Sequence, residues 1–159
     1  MKQLASHKTR CIIRILMFAV SLAAAATTAA ETAGLHAMAV SIEGYSPVSY
    51  FTKGIAERGS EEFAVRGDGF IYYLASAEQV ALFNANPQKY MPRYKLCPYS
   101  LARGMTLPLD PTNFKVFGDT LLLFHKSDAM DGLQLWSTAP ESDEELLELA
   151  DKQYVLFKF

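Results

Sequence analysis

Five consecutive residues, Phe70, Ile71, Tyr72, Tyr73 and Leu74, are aromatic, β-branched or aliphatic, and they follow Gly67, Asp68 and Gly69. The pattern predicts a strand leaving a tight turn. Residues 63–66 predict a short partner strand that pairs back across the same glycines, giving a first hairpin. The spacing then becomes helical: Ser76 with Gln79 three residues on reads as a capping box, and Val80 and Phe83 share one apolar face. Asn86 followed by Pro87 ends that helix. A second hairpin is predicted where residues 114–117 and 120–124 flank Gly118 and Asp119. Its Leu121, Leu122 and Leu123 form a continuous apolar run, so this strand should be covered on both faces.

The remaining pattern adds helices. Pro47 fixes a turn after Ser46, and Val48, Tyr50 and Phe51 supply apolar surface on a short helix or irregular arch. Residues 128–136 predict a helix capped by Asp128, with Leu133 and Trp136 facing inward. Ser142 and Glu145 form a further capping box ahead of an amphipathic helix whose apolar side holds Leu146, Leu147, Leu149 and Ala150 and whose outer face is acidic. The last six residues, 154–159, read as an aromatic tail, either docked or available to a partner as a strand. The class predicted is α+β: a small single domain with two antiparallel β-hairpins and three to four short helices.

The N-terminus changes the accounting. Lys2, Lys8, Arg10 and Arg14 precede an apolar segment at residues 15–26 and a small-residue stretch ending at Ala30. Residues 1–30 therefore read as a secretory signal peptide, the apolar part being shorter than the roughly 20 residues of a membrane span. The expectation is an exported chain, periplasmic or secreted, with no membrane span after removal of the leader. The whole chain has 15 basic and 17 acidic residues; the leader takes four basic ones, and 11 against 17 leaves −6. An acidic chain of that kind is not a nucleic-acid binder by default. Of two cysteines, Cys11 departs with the leader and Cys97 remains, which excludes an internal disulfide. Residues 31–43 read as a flexible lead-in, in which His36 and Met38 are weak candidates for a soft metal, and residues 141–159 as a C-terminal acidic helix and tail.

Several boxes together resemble a known family. Residues 44–51 (Gly-Tyr-Ser-Pro-Val-Ser-Tyr-Phe), Tyr72 with Tyr73, residues 75–78 (Ala-Ser-Ala-Glu), residues 86–90 (Asn-Pro-Gln-Lys-Tyr) and Cys97 look like the exported branch of the YHS domain family. The resemblance implies a YHS-like domain over residues 44–140 in a small secreted protein, some members of the branch being selenoproteins. Metal-binding relatives of that family place cysteines at positions that here hold Ser49, Ala75 and Gln79. The resemblance thus implies no thiolate ligand set, no metal and no cofactor.

Cys97 stands directly before Pro98, at the N-cap of a predicted helix. Between Glu78 and Asp110 there is no acidic residue, whereas Lys89, Arg93, Lys95 and Arg103 are all present. That setting favours a thiolate, while free cysteine ordinarily packs as a small hydrophobe. Three functions follow from these readings. The first is a non-catalytic binding module that recognises a small ligand or protein partner through Tyr90, Arg93, Tyr94, Cys97 and Tyr99. The second is a thiol-based redox or soft-metal-handling protein centred on Cys97, with Met91 or Met105 as further donors. The third is a small enzyme, for which no acid, base and nucleophile stand at motif spacing. His125, at the end of the second hairpin, reads as a hydrogen-bonded structural residue.

Overall fold

A computed structural model describes residues 38–157. The segment expected to be a signal peptide, its expected cleavage point and most of the expected lead-in, His36 included, lie outside the described residues. The packed unit begins at Val40, whose backbone bridges Ile71, so its N-terminal edge lies ahead of Gly44. A 3-10 turn at Ser41–Gly44 is followed by α1 (Pro47–Thr52), β1 (Ser60–Gly67), β2 (Phe70–Leu74), α2 (Ala77–Ala85), α3 (Pro87–Tyr90) and α4 (Pro98–Ala102). The second half holds β3 (Phe114–Phe117), β4 (Thr120–Leu123), β5 (Lys126–Ser127), β6 (Met130–Asp131), α5 (Gly132–Ser137) and α6 (Asp143–Phe157). The class is α+β, with three antiparallel two-stranded sheets and six helices among the described residues.

Both predicted hairpins form, with turns that match their residues. Asp68 and Gly69 take φ of +48° and +78°, the pair of positive values that a type I′ turn demands. Gly118, at φ +58°, occupies the position that a type II′ turn reserves for glycine, and Phe117 pairs with Thr120 around it. β1 is longer than its hydrophobic core suggests, because an irregularity between Ser60 and Ala64 lets exposed residues join the ladder.

Strand β4 explains the architecture. Leu121 and Leu123 point into one core with Ile42, Val48, Tyr50, Tyr72, Leu74, Phe83 and Tyr90. Leu122 and the following Phe124 point into a second core with Tyr94, Cys97, Leu101, Trp136, Leu146 and Ala150. The period-2 alternation of one strand thus feeds two cores, which is why its apolar run is unbroken. All four of these side chains, three from β4 and Phe124 just after it, are buried.

Three expectations are corrected. A third hairpin, β5–β6, occupies residues where the sequence predicts a helix from Asp128: Asp128 and Ala129 form its turn, and the helix starts at Gly132. The cap is Asp131, whose Oδ1 accepts from Leu133 N and Gln134 N, each at 3.1 Å, and from Asn113 Nδ2 at 3.0 Å. Residues 154–157 of the expected aromatic tail are helical, since α6 runs to Phe157 and leaves Val155 and Leu156 exposed. Its reciprocal capping box does form: Ser142 N donates to Glu145 Oε2 at 2.8 Å, and Glu145 N to Ser142 Oγ at 3.2 Å. At α2 only half a box forms. Gln79 N reaches Ser76 Oγ, but the Gln79 side chain turns inward.

Candidate functional site

The segment at residues 91–96 carries the chain from one core to the other. Asn86 ends α2 and its Oδ1 caps α3 by accepting from Lys89 N; α3 lasts one turn, and Met91 and Pro92 then run extended. Pro92 bridges Leu121, and Arg93 N donates to Leu121 O at 3.1 Å, so the segment lies along β4. On its outer side opens a cleft of about 690 Å³, lined by Met91, Arg93, Lys95, Leu121, Tyr154 and Phe157 among others. A second, more apolar lobe of about 280 Å³ is lined by Val40, Ile42, Phe70, Tyr72, Met91 and Leu109 with others. Asp68, Met91, Pro92 and Lys95 border both lobes.

The wall of the second lobe is conformationally fixed. Ile42 is held at φ +41° and only 7% exposed. A β-branched residue in the left-handed region costs on the order of 1–3 kcal/mol and persists only where packing over-determines it. Tyr45 N closing on Ile42 O at 3.0 Å and the Val40–Ile71 bridge supply that constraint.

Each basic residue of the region has a carboxylate from elsewhere in the chain. Arg93 makes a two-pronged contact with Asp151, Nε to Oδ1 at 3.2 Å and Nη2 to Oδ2 at 2.7 Å. Lys95 Nζ lies 3.0 Å from Asp68 Oδ2, Lys89 Nζ 3.4 Å from Asp119 Oδ1, and Arg103 Nη1 2.7 Å from Glu141 Oε1. The positive surround that the local sequence suggests for Cys97 is therefore neutralised by residues far along the chain. Arg93 is held further above its ordinary pKa by Asp151. Burial, and then the bond to Asp151, raises the Tyr94 phenol well above its ordinary value. Burial pushes the Asp151 carboxyl up, but the bonds from Arg93 and Tyr94 outweigh it, so the group ionises below its usual range.

The five candidate residues do not share one surface. Arg93 and Tyr94 reach the cleft, one in each lobe. Tyr90 is a core ring, packed edge-on against Phe51 and beside Phe83. Tyr99 is half-buried under the Arg103 guanidinium, away from both lobes. Cys97 does occupy the N-cap of α4, but without a side-chain capping bond and with no exposed surface. Its sulfur fills the space in front of Gly132, where a Cβ would stand 3.0 Å from Sγ. Met105 is exposed and Met91 lines the cleft, whereas His125 Nδ1 lies 3.0 Å from Pro108 O. Sequence reasoning missed Lys95 with Asp68, and Tyr154 with Phe157, as cleft residues. The hairpin turn around Asp68 was legible; its meeting with Lys95 was not.

The positions that the resemblance marks as ligand sites do converge. Gln79 Nε2 donates to Ser49 Oγ at 2.9 Å, and Gln79 Oε1 accepts from Ala75 N at 2.9 Å and from Ser46 Oγ at 2.6 Å. The Ser49 hydroxyl in turn donates a hydrogen bond to Glu57 Oε2. These buried groups satisfy one another. Among the described residues, no group of three or more His, Cys, Asp or Glu side chains is placed to hold a metal ion. No protein-family model, curated protein or solved structure matches the chain. Among the described residues, no helix is long and apolar enough to cross a membrane.

Proposed function

We propose that the chain is an exported YHS-like binding module, non-catalytic, that takes a small ligand in the two-lobed cleft beside residues 91–96. The observation that carries this reading is the cleft itself: about 690 Å³, lined by Arg93 and Lys95 together with Tyr154 and Phe157, and bordered by the more apolar lobe of about 280 Å³. Ligand sites are concave, largely preformed, and combine apolar lining with a few placed polar groups. At the positions where metal-binding relatives of the family place ligands, Ser49, the Ala75 amide and Gln79 are hydrogen-bonded to one another, which fits a module that keeps the fold without an ion. Burial of Cys97 weighs against the thiol-centred alternative, because a nucleophilic sulfur needs access.

A thermal-shift panel of small amphipathic acids, amines, amino acids and neutral aromatics tests the reading. Gln88 is exposed and lines the cleft, so Gln88→Trp fills the mouth without entering a core. At least one class should stabilise the protein, and Gln88→Trp should remove that stabilisation. A panel in which nothing stabilises the protein, or in which Gln88→Trp changes nothing, contradicts the proposal.

A further inference from the structure

We infer that the cleft takes a small zwitterion with an apolar side chain, of the α-amino acid class: its ammonium meets Asp68, its carboxylate meets Lys95, and its side chain enters the second lobe. This rests on the cleft being a binding site, as proposed above.

Lys95 and Asp68 stand at the waist, bordering both lobes. They are 3.0 Å apart, and their side chains remain 52% and 60% exposed. An ammonium offers three donors and a carboxylate about four acceptor directions, so one pairing leaves capacity on both. Lys95 Nζ also rests 4.4 Å over the Phe70 ring, which holds the ammonium at the entrance of the second lobe.

The charge pattern selects the ligand. Arg93 is matched by Asp151, Lys89 by Asp119 and Lys95 by Asp68, so the cleft presents no surplus of either sign. A lone anion that reaches Lys95 also faces the like charge of Asp68 3.0 Å away, and a lone cation that reaches Asp68 faces that of Lys95. A zwitterion laid antiparallel to the pair keeps the existing contact and adds two of opposite sign. The second lobe then decides the side chain. Ile42, Phe70, Tyr72 and Leu109 line it, and Tyr72 stays a neutral phenol because burial raises its pKa against the lowering effect of Ser41. A volume of about 280 Å³ suits one aromatic or branched aliphatic side chain and excludes a long acyl chain.

Three probes sharing one ring separate the possibilities: L-phenylalanine, 3-phenylpropionate and 2-phenylethylamine, each titrated against the full chain by NMR. L-Phenylalanine should bind about tenfold or more tightly than either analogue. Lys95→Met and Asp68→Asn should each bring it down to the level of the analogues, and Asn tolerates the positive φ at position 68. Both side chains are exposed, so folding is preserved and can be checked by circular dichroism. Equal binding of 3-phenylpropionate or of 2-phenylethylamine overturns the zwitterion while leaving the cleft reading intact. Binding of L-phenylalanine that neither substitution alters overturns it as well. Failure of all three probes overturns it too, and the wider panel with Gln88→Trp then decides separately whether the cleft binds anything.

Discussion

Tyr94 donates its hydroxyl to Asp151 Oδ1 at 2.7 Å, and with the Arg93 contact this fastens the second half of α6 to the segment that walls the cleft. Only Leu146 and Ala150 of that helix are fully buried, both before Asp151. The polar latch thus adds to the partly buried packing of Tyr154 and Phe157 in that half. Tyr94→Phe should lower stability by about 1 kcal/mol in urea unfolding. Asp151→Ala should cost a similar amount rather than the roughly 3 kcal/mol of a buried charged bond, because its side chain is 45% exposed. Unchanged urea midpoints in both variants would mean that the helix is held by other contacts.

Cys97 should behave as a packed residue. Iodoacetamide labelling of native protein should be slow and should track global unfolding as urea is added. Cys97→Ser places a hydroxyl among Leu101, Leu122, Phe124 and Trp136 and should cost roughly 1–3 kcal/mol. Fast labelling of the native state with little loss of stability in the serine variant would restore the thiol-centred alternative.

Gln79→Leu should be among the more damaging single substitutions. It leaves Ser46 Oγ and the Ala75 amide without their acceptor and Ser49 with Glu57 alone, at roughly 2–4 kcal/mol. The same network implies that the purified protein holds no stoichiometric zinc, which elemental analysis checks directly. One tightly bound zinc per chain would overturn that account.

How far this was legible in the sequence follows from the range of each interaction. Both hairpin turns, the break at Asn86, the box at Ser142 and the double burial of Leu121 to Leu123 depend on near neighbours, and the residues declared them. Gln79 was read as closing its own helix, yet its partners are Ser46 and Ser49, which no local rule reveals. The surround of Cys97 reads as positive in sequence because the carboxylates that meet Lys89, Arg93, Lys95 and Arg103 stand far along the chain. The β5–β6 hairpin has two-residue strands, too short to show a period, and choosing Asp131 over Asp128 as the cap needs Asn113. The candidate site was half legible for the same reason: Arg93 and Tyr94 lie in the segment singled out, whereas Asp68 and Tyr154 arrive by folding.

Acid should unfold the protein through its paired carboxylates. The Arg103 bond holds Glu141 down from 4.5 to about 2. Lys53 and then Ser49 lower Glu57, and the Gln134 amide and then Asn113 lower Asp131. At Asp143 burial pushes the carboxyl up, but Lys115 and Trp136 outweigh it, and the group also lies low. A carboxyl depressed in the fold binds fewer protons there than in the unfolded chain, so its contribution is complete above its ordinary pKa and is lost as pH falls through the folded value. The urea midpoint should hold between about pH 7 and 5 and fall between about pH 4.5 and 2, and Lys115→Met should flatten part of that fall. A midpoint constant down to pH 3 would contradict the assignment.

The cleft is tested most directly by amide NMR spectra of the isotope-labelled chain titrated with a pool of small aromatic acids, amines and amino acids. Saturable shifts should cluster at Asp68, Met91, Arg93, Lys95, Leu121 and Tyr154, the two-lobed lining, and should leave α5 (Gly132–Ser137) unmoved. Shifts that never saturate, or that gather around Tyr99 and α4 instead, would contradict the account.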